Sequence, residues 1–360
     1  MNNLVFHSIY TTFSLCEKVL SFGNKNKNMF FCFVLCSLIR TFHHGEGRLY
    51  LRKIQINLVF RSICTTFAPA FKDMKEIYYN VAGHVFALET EKDNCGELEL
   101  SQYEPFVCDA TDDVVFRLRI CAEPLNTEDF RLEVKQEDEG QDILAGHVGD
   151  QPCFQFFLQE ELMGVLICSN YYQMGELYAE DYNTFGINNA LMVMYALATA
   201  DKRTALFHSS VVSYEGKAYM FLGTSGTGKS THSRLWMKYI EGTELVNDDN
   251  PVVRILDDGS IRVYGSPWSG KTPCYRNVSY PVGAIVQLSQ APENVIRRQR
   301  PIEAYAALMA SISGKRWDSR LAEGLHETEN LLVKGCAVWH LDCLPDEGAA
   351  QLCKQNVYGL

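Results

Sequence analysis

Apolar positions fall in short runs from residue 76 to about 182 and in alternating long and short runs beyond it. Residues 81–88, 114–120, 130–134, 153–158 and 162–168 alternate or run apolar over strand length. Acidic, turn-like clusters at 91–96, 109–113 and 137–140 separate them. This stretch holds no chemical motif and predicts a β-rich accessory domain over 74–184. Residues 185–200 place Ile187, Leu191, Met194, Tyr195 and Ala198 at helical spacing, which predicts a helix packed under the sheet of the following domain. Residues 204–214 and 216–222 read as two adjacent strands turning at Glu215 and Gly216. Strands are then expected at 245–246, 252–256, 261–264 and 282–288, a helix at 302–312, a strand at 333–341 and a helix at 347–354. The alternation over 185–360 predicts a mixed α/β domain.

The buried-strand pattern ending at Leu222 leads directly into Gly223, Thr224, Ser225, Gly226, Thr227, Gly228, Lys229, Ser230 and Thr231. That run matches G-x-x-x-x-G-K-[ST], the pattern of a P-loop whose backbone N–H groups wrap nucleotide phosphates. In such a loop Lys229 reaches the β- and γ-phosphates, and the Ser230 hydroxyl binds Mg²⁺. No Pro or Gly interrupts the chain from Lys229 to Gly242, and Leu235/Tyr239 and Trp236/Ile240 pair at helical spacing. A helix starting here turns the positive end of its dipole towards the phosphates.

Composition narrows the class. The net charge of −11 speaks against a nucleic-acid groove. The thirteen cysteines are scattered with no C-x-x-C pair, which suits reduced thiols in a cytoplasmic protein. Charge is uneven: residues 1–73 carry a net +6, whereas 74–360 carry 24 basic against 41 acidic residues. The basic stretch also contains a near-duplicate, 3–13 and 57–67, identical at nine of eleven positions. Between the copies, the apolar run 29–39 is too short to span a membrane and has no small-x-small cleavage site after it. Residues 1–73 are therefore expected to be a dispensable or non-native extension, with the working chain starting near Met74.

Asp248 and Asp249 follow a short apolar run nineteen residues after Lys229. That spacing suits a parallel strand whose carboxyl end delivers acids beside the phosphates. One carboxylate then holds Mg²⁺ and the other accepts a proton from an attacking hydroxyl, in either assignment. His208 ends an apolar stretch whose strand should neighbour the P-loop strand. Residues 264–277 hold two Gly, two Pro and several hydroxyls, with Lys271 and Arg276 either neutralising phosphate or standing as exposed loop cations.

Taken together, His208-Ser-Ser, the 225–231 loop and Asn247-Asp-Asp249 resemble the HPr kinase/phosphorylase and ATP-type phosphoenolpyruvate carboxykinase superfamily, over roughly 185–345. The resemblance implies that superfamily's mixed α/β kinase core, ATP and Mg²⁺. It also implies Asp248 or Asp249 as base or metal ligand, and His208 close to metal and acceptor. The glutamate-bearing signature of HPr kinases has only Arg262-Val-Tyr-Gly265 near its place, so the resemblance does not extend to HPr as acceptor. The expected activity is ATP-dependent phosphorylation of a serine hydroxyl in a protein or peptide, by a chain that acts alone or as an oligomer. A nucleotide-binding sensor with little turnover and a carboxykinase-type lyase are the alternatives. No nucleic acid or membrane partner is expected.

Overall fold

The computed structural model describes residues 74–91, 98–138, 140–270 and 272–358. The duplicated segments, the apolar run 29–39 and Lys271 lie outside the described residues. The fold is mixed α/β, with two large sheets.

The first sheet is built from β1 (Met74–Val81), β2 (His84–Glu91), β3 (Val107–Cys108), β4 (Phe116–Cys121), β5 (Phe130–Asp138), β6 (Gln141–Val148), β7 (Gln151–Leu158), β8 (Glu161–Cys168) and β9 (Met174–Tyr178). They lie in the order β3-β1-β2-β4-β9-β8-β7-β6-β5. The single strand expected at 81–88 is broken: Ala82 (φ +53°) and Gly83 (φ +78°) form the two-residue turn of the β1–β2 hairpin. Two central residues with positive φ match the right-handed twist of the flanking strands. The strands β6 and β9, which the apolar pattern did not mark, carry Gly146 and Gly175.

Helix α1 (Thr184–Thr199) starts at Asn183, whose side chain accepts from Gly186 N at 2.7 Å. Expected beneath the second sheet alone, it instead packs on β4, β8 and β9 of the first sheet as well. It is apolar nearly all round because both sides are covered. Tyr195 shows this most directly. Its hydroxyl donates to Val81 O (3.0 Å), and its ring meets that of Trp268, whose indole N–H donates to Tyr103 (2.8 Å). One apolar core thus runs from Phe86 and Leu118 through α1 to Met220 and Ile285.

The second sheet contains β10 (Thr204–Leu206), β11 (Ser209–Tyr214), β12 (Lys217–Leu222), β13 (Glu244–Asp249), β14 (Val252–Ile255), β15 (Ile261–Tyr264) and β16 (Ser279–Gln290). Their order is β10-β14-β15-β16-β12-β11-β13, and β18 (Val338–Cys343) joins β16 to β17 (Val295–Arg298). The strand expected at 204–214 is two strands that belong to different ends of this sheet, parted at Phe207 and His208. Along β12, Ala218, Met220 and Leu222 face the shared core, while Tyr219 and Phe221 face a second cluster. That cluster lies under α2 (Lys229–Tyr239) and α5 (Glu347–Val357) and includes Trp236 and Cys353. Burial on both faces is why this strand reads as an unbroken apolar run.

Helix α3 (Pro301–Ser311) lies where the pattern put it, whereas α4 (Ser319–Gly335) fills a stretch for which the pattern gave no element. The strand expected from 333 begins only at Val338, because Val333 to Gly335 complete α4.

Candidate functional site

β11 lies between β12 and β13 and is antiparallel to both, so β12 and β13 point the same way. Their carboxyl ends meet the start of β11 at one edge, where Leu222, Ser209 and Asp249 form a row across three strands. Among the described residues, everything singled out in the sequence except Arg276 stands along this edge.

The loop after Leu222 turns on Gly223 (φ +155°), Gly226 (φ +79°) and Gly228 (φ +107°), conformations that L side chains rarely adopt. The Thr224 and Thr227 hydroxyls bond each other at 2.9 Å, and Gln290 at the end of β16 donates to Gly226 O at 3.1 Å. Ser225 is exposed at the loop tip. Lys229, 8% exposed, donates through Nζ to Gly223 O (3.0 Å) and Thr224 O (3.3 Å). Gly228 caps α2 without a side chain, so the N–H groups of its first turn, at Lys229, Ser230 and Thr231, have no side-chain acceptor on the cap. Their partial positive charge makes an anion site.

Helix α2 is held against the sheet by Ser233, whose hydroxyl bonds that of Ser210 (2.6 Å), and by His232, whose ring stands edge-on to Phe221. The His232 Nε2 accepts from Trp236 Nε1 (3.1 Å), leaving Nδ1 buried without a partner. Burial lowers its pKa from 6.5 to about 4. The folded protein therefore keeps His232 neutral while the unfolded chain takes up a proton below pH 6.5. The stability His232 contributes is complete above that value and is lost as pH falls towards about 4. Between pH 6 and 5 the His232→Gln variant, which keeps an acceptor for Trp236, should show a slope of unfolding free energy lower by about 1 kcal/mol per pH unit. Urea titrations at stepped pH measure it; parallel slopes would refute it.

Asp248 and Asp249 are neighbours in β13, and successive side chains of a strand face opposite ways. Asp248 is paired across the strands with Ser210, whose hydroxyl reaches α2, so Asp248 belongs to the face that carries α2. It is buried to 4% exposure. Asp249 is paired with Ser209 and lines a cavity on the opposite face, together with His208 and Asn250. His208 Nε2 lies 3.4 Å from Asp249 Oδ1. The backbone of Asp249 sits at φ +153°, costly for a residue with a side chain. Asn250 N donates to Trp268 O (3.3 Å) and the Asn250 amide donates to Asp249 Oδ2 (2.9 Å), which hold it there.

The shaped loop after β15 reaches this edge through its backbone. Gly270 N donates to Asp248 O at 2.6 Å, and Asn247, buried, donates to Ser266 Oγ (3.1 Å) and Trp268 O (3.3 Å). Arg276 is not brought here. It donates to Leu245 O (2.6 Å) and pairs with Glu244 (2.8 Å) at the opposite end of β13, roughly 13 Å of strand from Asp249. Sequence reasoning quoted Ser209 within His208-Ser-Ser without giving it a role, although its buried hydroxyl has no partner, and it passed over Gln290, which tethers the loop. Gln290 stands in no motif and is placed by strand register alone.

Among the described residues no three His, Cys, Asp or Glu side chains converge as a metal cage. One carboxylate and the Ser230 hydroxyl are donors that fit a Mg²⁺ ion, which keeps waters and shares phosphate oxygens instead of requiring an all-protein cage. No helix among the described residues is long and apolar enough to cross a membrane.

No protein-family model matches the chain, and no curated protein matches it. Among solved structures, the HPr(Ser) kinase/phosphatase from Coxiella burnetii is similar at a TM-score of 0.25 and 12% identity. The alignment covers 42% of this chain and 91% of that one. At that TM-score the likeness fixes neither the fold nor the activity of this chain.

Proposed function

We propose that the protein is an ATP- and Mg²⁺-dependent phosphotransferase acting on a hydroxyl, a serine of a protein or peptide. The reading is carried by one juxtaposition. A glycine-turned loop and uncapped helix N-terminus with a buried lysine stand one strand away from a carboxylate paired with histidine.

The loop amides and Lys229 bind and neutralise the phosphates, and Ser230 and Asp248, on the α2 face, hold Mg²⁺, which spreads the charge of the phosphoryl group. On the other face Asp249 accepts the proton of the attacking hydroxyl. The hydroxyl oxygen bonds to the γ-phosphorus, the bond from γ-phosphorus to the bridging oxygen breaks, and ADP departs. His208 orients Asp249 and the acceptor. ATP is favoured over GTP because the sequence holds no Asn-Lys-x-Asp guanine-reading motif.

Calorimetric titration with ATP in the presence of Mg²⁺ should show saturable binding, and incubation with γ-labelled ATP and host lysate should label a serine-containing polypeptide. Absence of binding refutes the reading. Binding with neither labelling nor ATP consumption leaves a nucleotide sensor in its place.

A further inference from the structure

The cavity that Asp249 and His208 line has a volume of about 240 Å³ and lies between α1, the sheet strands β5 to β7 and residues 313–317. Its walls join apolar side chains, among them Ile143, Phe154, Phe185 and Val193, to polar ones that include Gln136, Asn189 and Ser313. Sites that select a ligand combine an apolar lining with polar groups that fix orientation.

Among the described lining residues, Lys315 is the one other charged side chain. Its Nζ is paired with Glu133 Oε2 at 2.9 Å, and Trp317 donates to the same oxygen at 2.8 Å. Partial burial works against the Glu133 charge, but these two donors outweigh it and hold the carboxyl below its usual range. A lysine neutralised by an ionised partner offers no net charge to an anionic substrate. The cavity therefore does not select a phosphorylated or carboxylate compound.

The strand beside the opening supplies the other half of the argument. Val134 and Gln136 lie on β5, the last strand of its sheet, which among the described residues pairs with β6 alone. A terminal strand presents unpaired N–H and C=O groups along its outer side, which an extended polypeptide can bond.

We infer that the cavity receives an uncharged apolar side chain adjoining the acceptor hydroxyl, so that the acceptor is a serine flanked by an apolar residue in an extended polypeptide segment. This rests on the phosphotransferase reading and adds a substrate class to it. An apolar pocket of this kind discriminates by roughly tenfold or more between a side chain that fills it and one that does not.

The test uses the full chain, Mg²⁺, γ-labelled ATP and peptides with a central serine in which one flanking position at a time is randomised. At one flanking position Leu, Val or Phe should be labelled about tenfold more than Asp, Glu or Lys. Val193→Trp, which fills the cavity, should raise KM for the apolar peptides about tenfold while ATP affinity stays as in the parent. Gln136→Trp, on an exposed strand where it cannot disturb the core, should act in the same direction. Equal labelling of charged and apolar flanks, or ATP binding with no peptide labelled, overturns the inference and leaves nucleotide binding standing. Failure to bind ATP overturns the phosphotransferase reading as well.

Discussion

Replacing Lys229 with alanine is expected to lower phosphoryl transfer by at least about a hundredfold while leaving the protein folded. The magnitude follows from removing one fixed positive donor from a site where charge moves during the reaction. The stability effect should be small. Lys229 Nζ donates to carbonyl oxygens of a partly exposed loop, Gly223 O and Thr224 O. Water can replace the ammonium there, so the loss is about 1 kcal/mol and the thermal midpoint falls by a few degrees at most. Single-turnover transfer from labelled ATP, together with thermal unfolding of both proteins, measures the two effects. Transfer within threefold of the parent would refute the loop as the phosphate site. A collapse of the midpoint would mean that the lysine is structural.

That prediction draws on what was most legible in the sequence. The strand, glycine loop and helix around Lys229 are contiguous, and each rests on local chemistry: apolar run, left-handed turns, uninterrupted helical spacing. Elements that depend on distant partners were less visible. The run 204–214 mixes apolar residues with Thr204, His208, Ser209, Ser210 and Ser213 and holds no Gly or Pro, so no turn signal marks the break at Phe207 and His208; the two halves part because β10 pairs with β14 and β11 with β12. Helix α4 hid for a different reason. Its buried stripe passes through Leu321, Leu325, Thr328, Glu329 and Leu332, so polar residues occupy two of the core positions. Glu329 is tolerated there because Arg316 donates to it at 2.7 Å and His326 lies at 3.2 Å. The loop residues 264–277 were read as one cationic feature, yet their backbone serves the Asp248 end of β13 and Arg276 serves the other. The cavity was beyond reach from sequence, since its walls come from strands near 140–155, from α1 and from residues past 310.

Strand geometry also separates two residues that the sequence left interchangeable. Because Asp248 and Asp249 face opposite sides of β13, their variants should fail differently. Asp249→Asn removes the proton acceptor beside His208 and should reduce turnover by about 10²- to 10⁴-fold with ATP affinity retained. The amide keeps the size of the side chain, so the cavity and the strained backbone at φ +153° should persist. Asp248→Asn changes the side chain on the α2 face, and its signature should be a higher Mg²⁺ concentration for half-maximal activity. Added Mg²⁺ should then rescue Asp248→Asn and leave Asp249→Asn unchanged. The decisive measurement is turnover of both variants across a Mg²⁺ series at saturating ATP. Rescue of the wrong variant would exchange the two roles. Rescue of both, or of neither with equal loss, would mean that the carboxylates act as one unit despite their opposed faces.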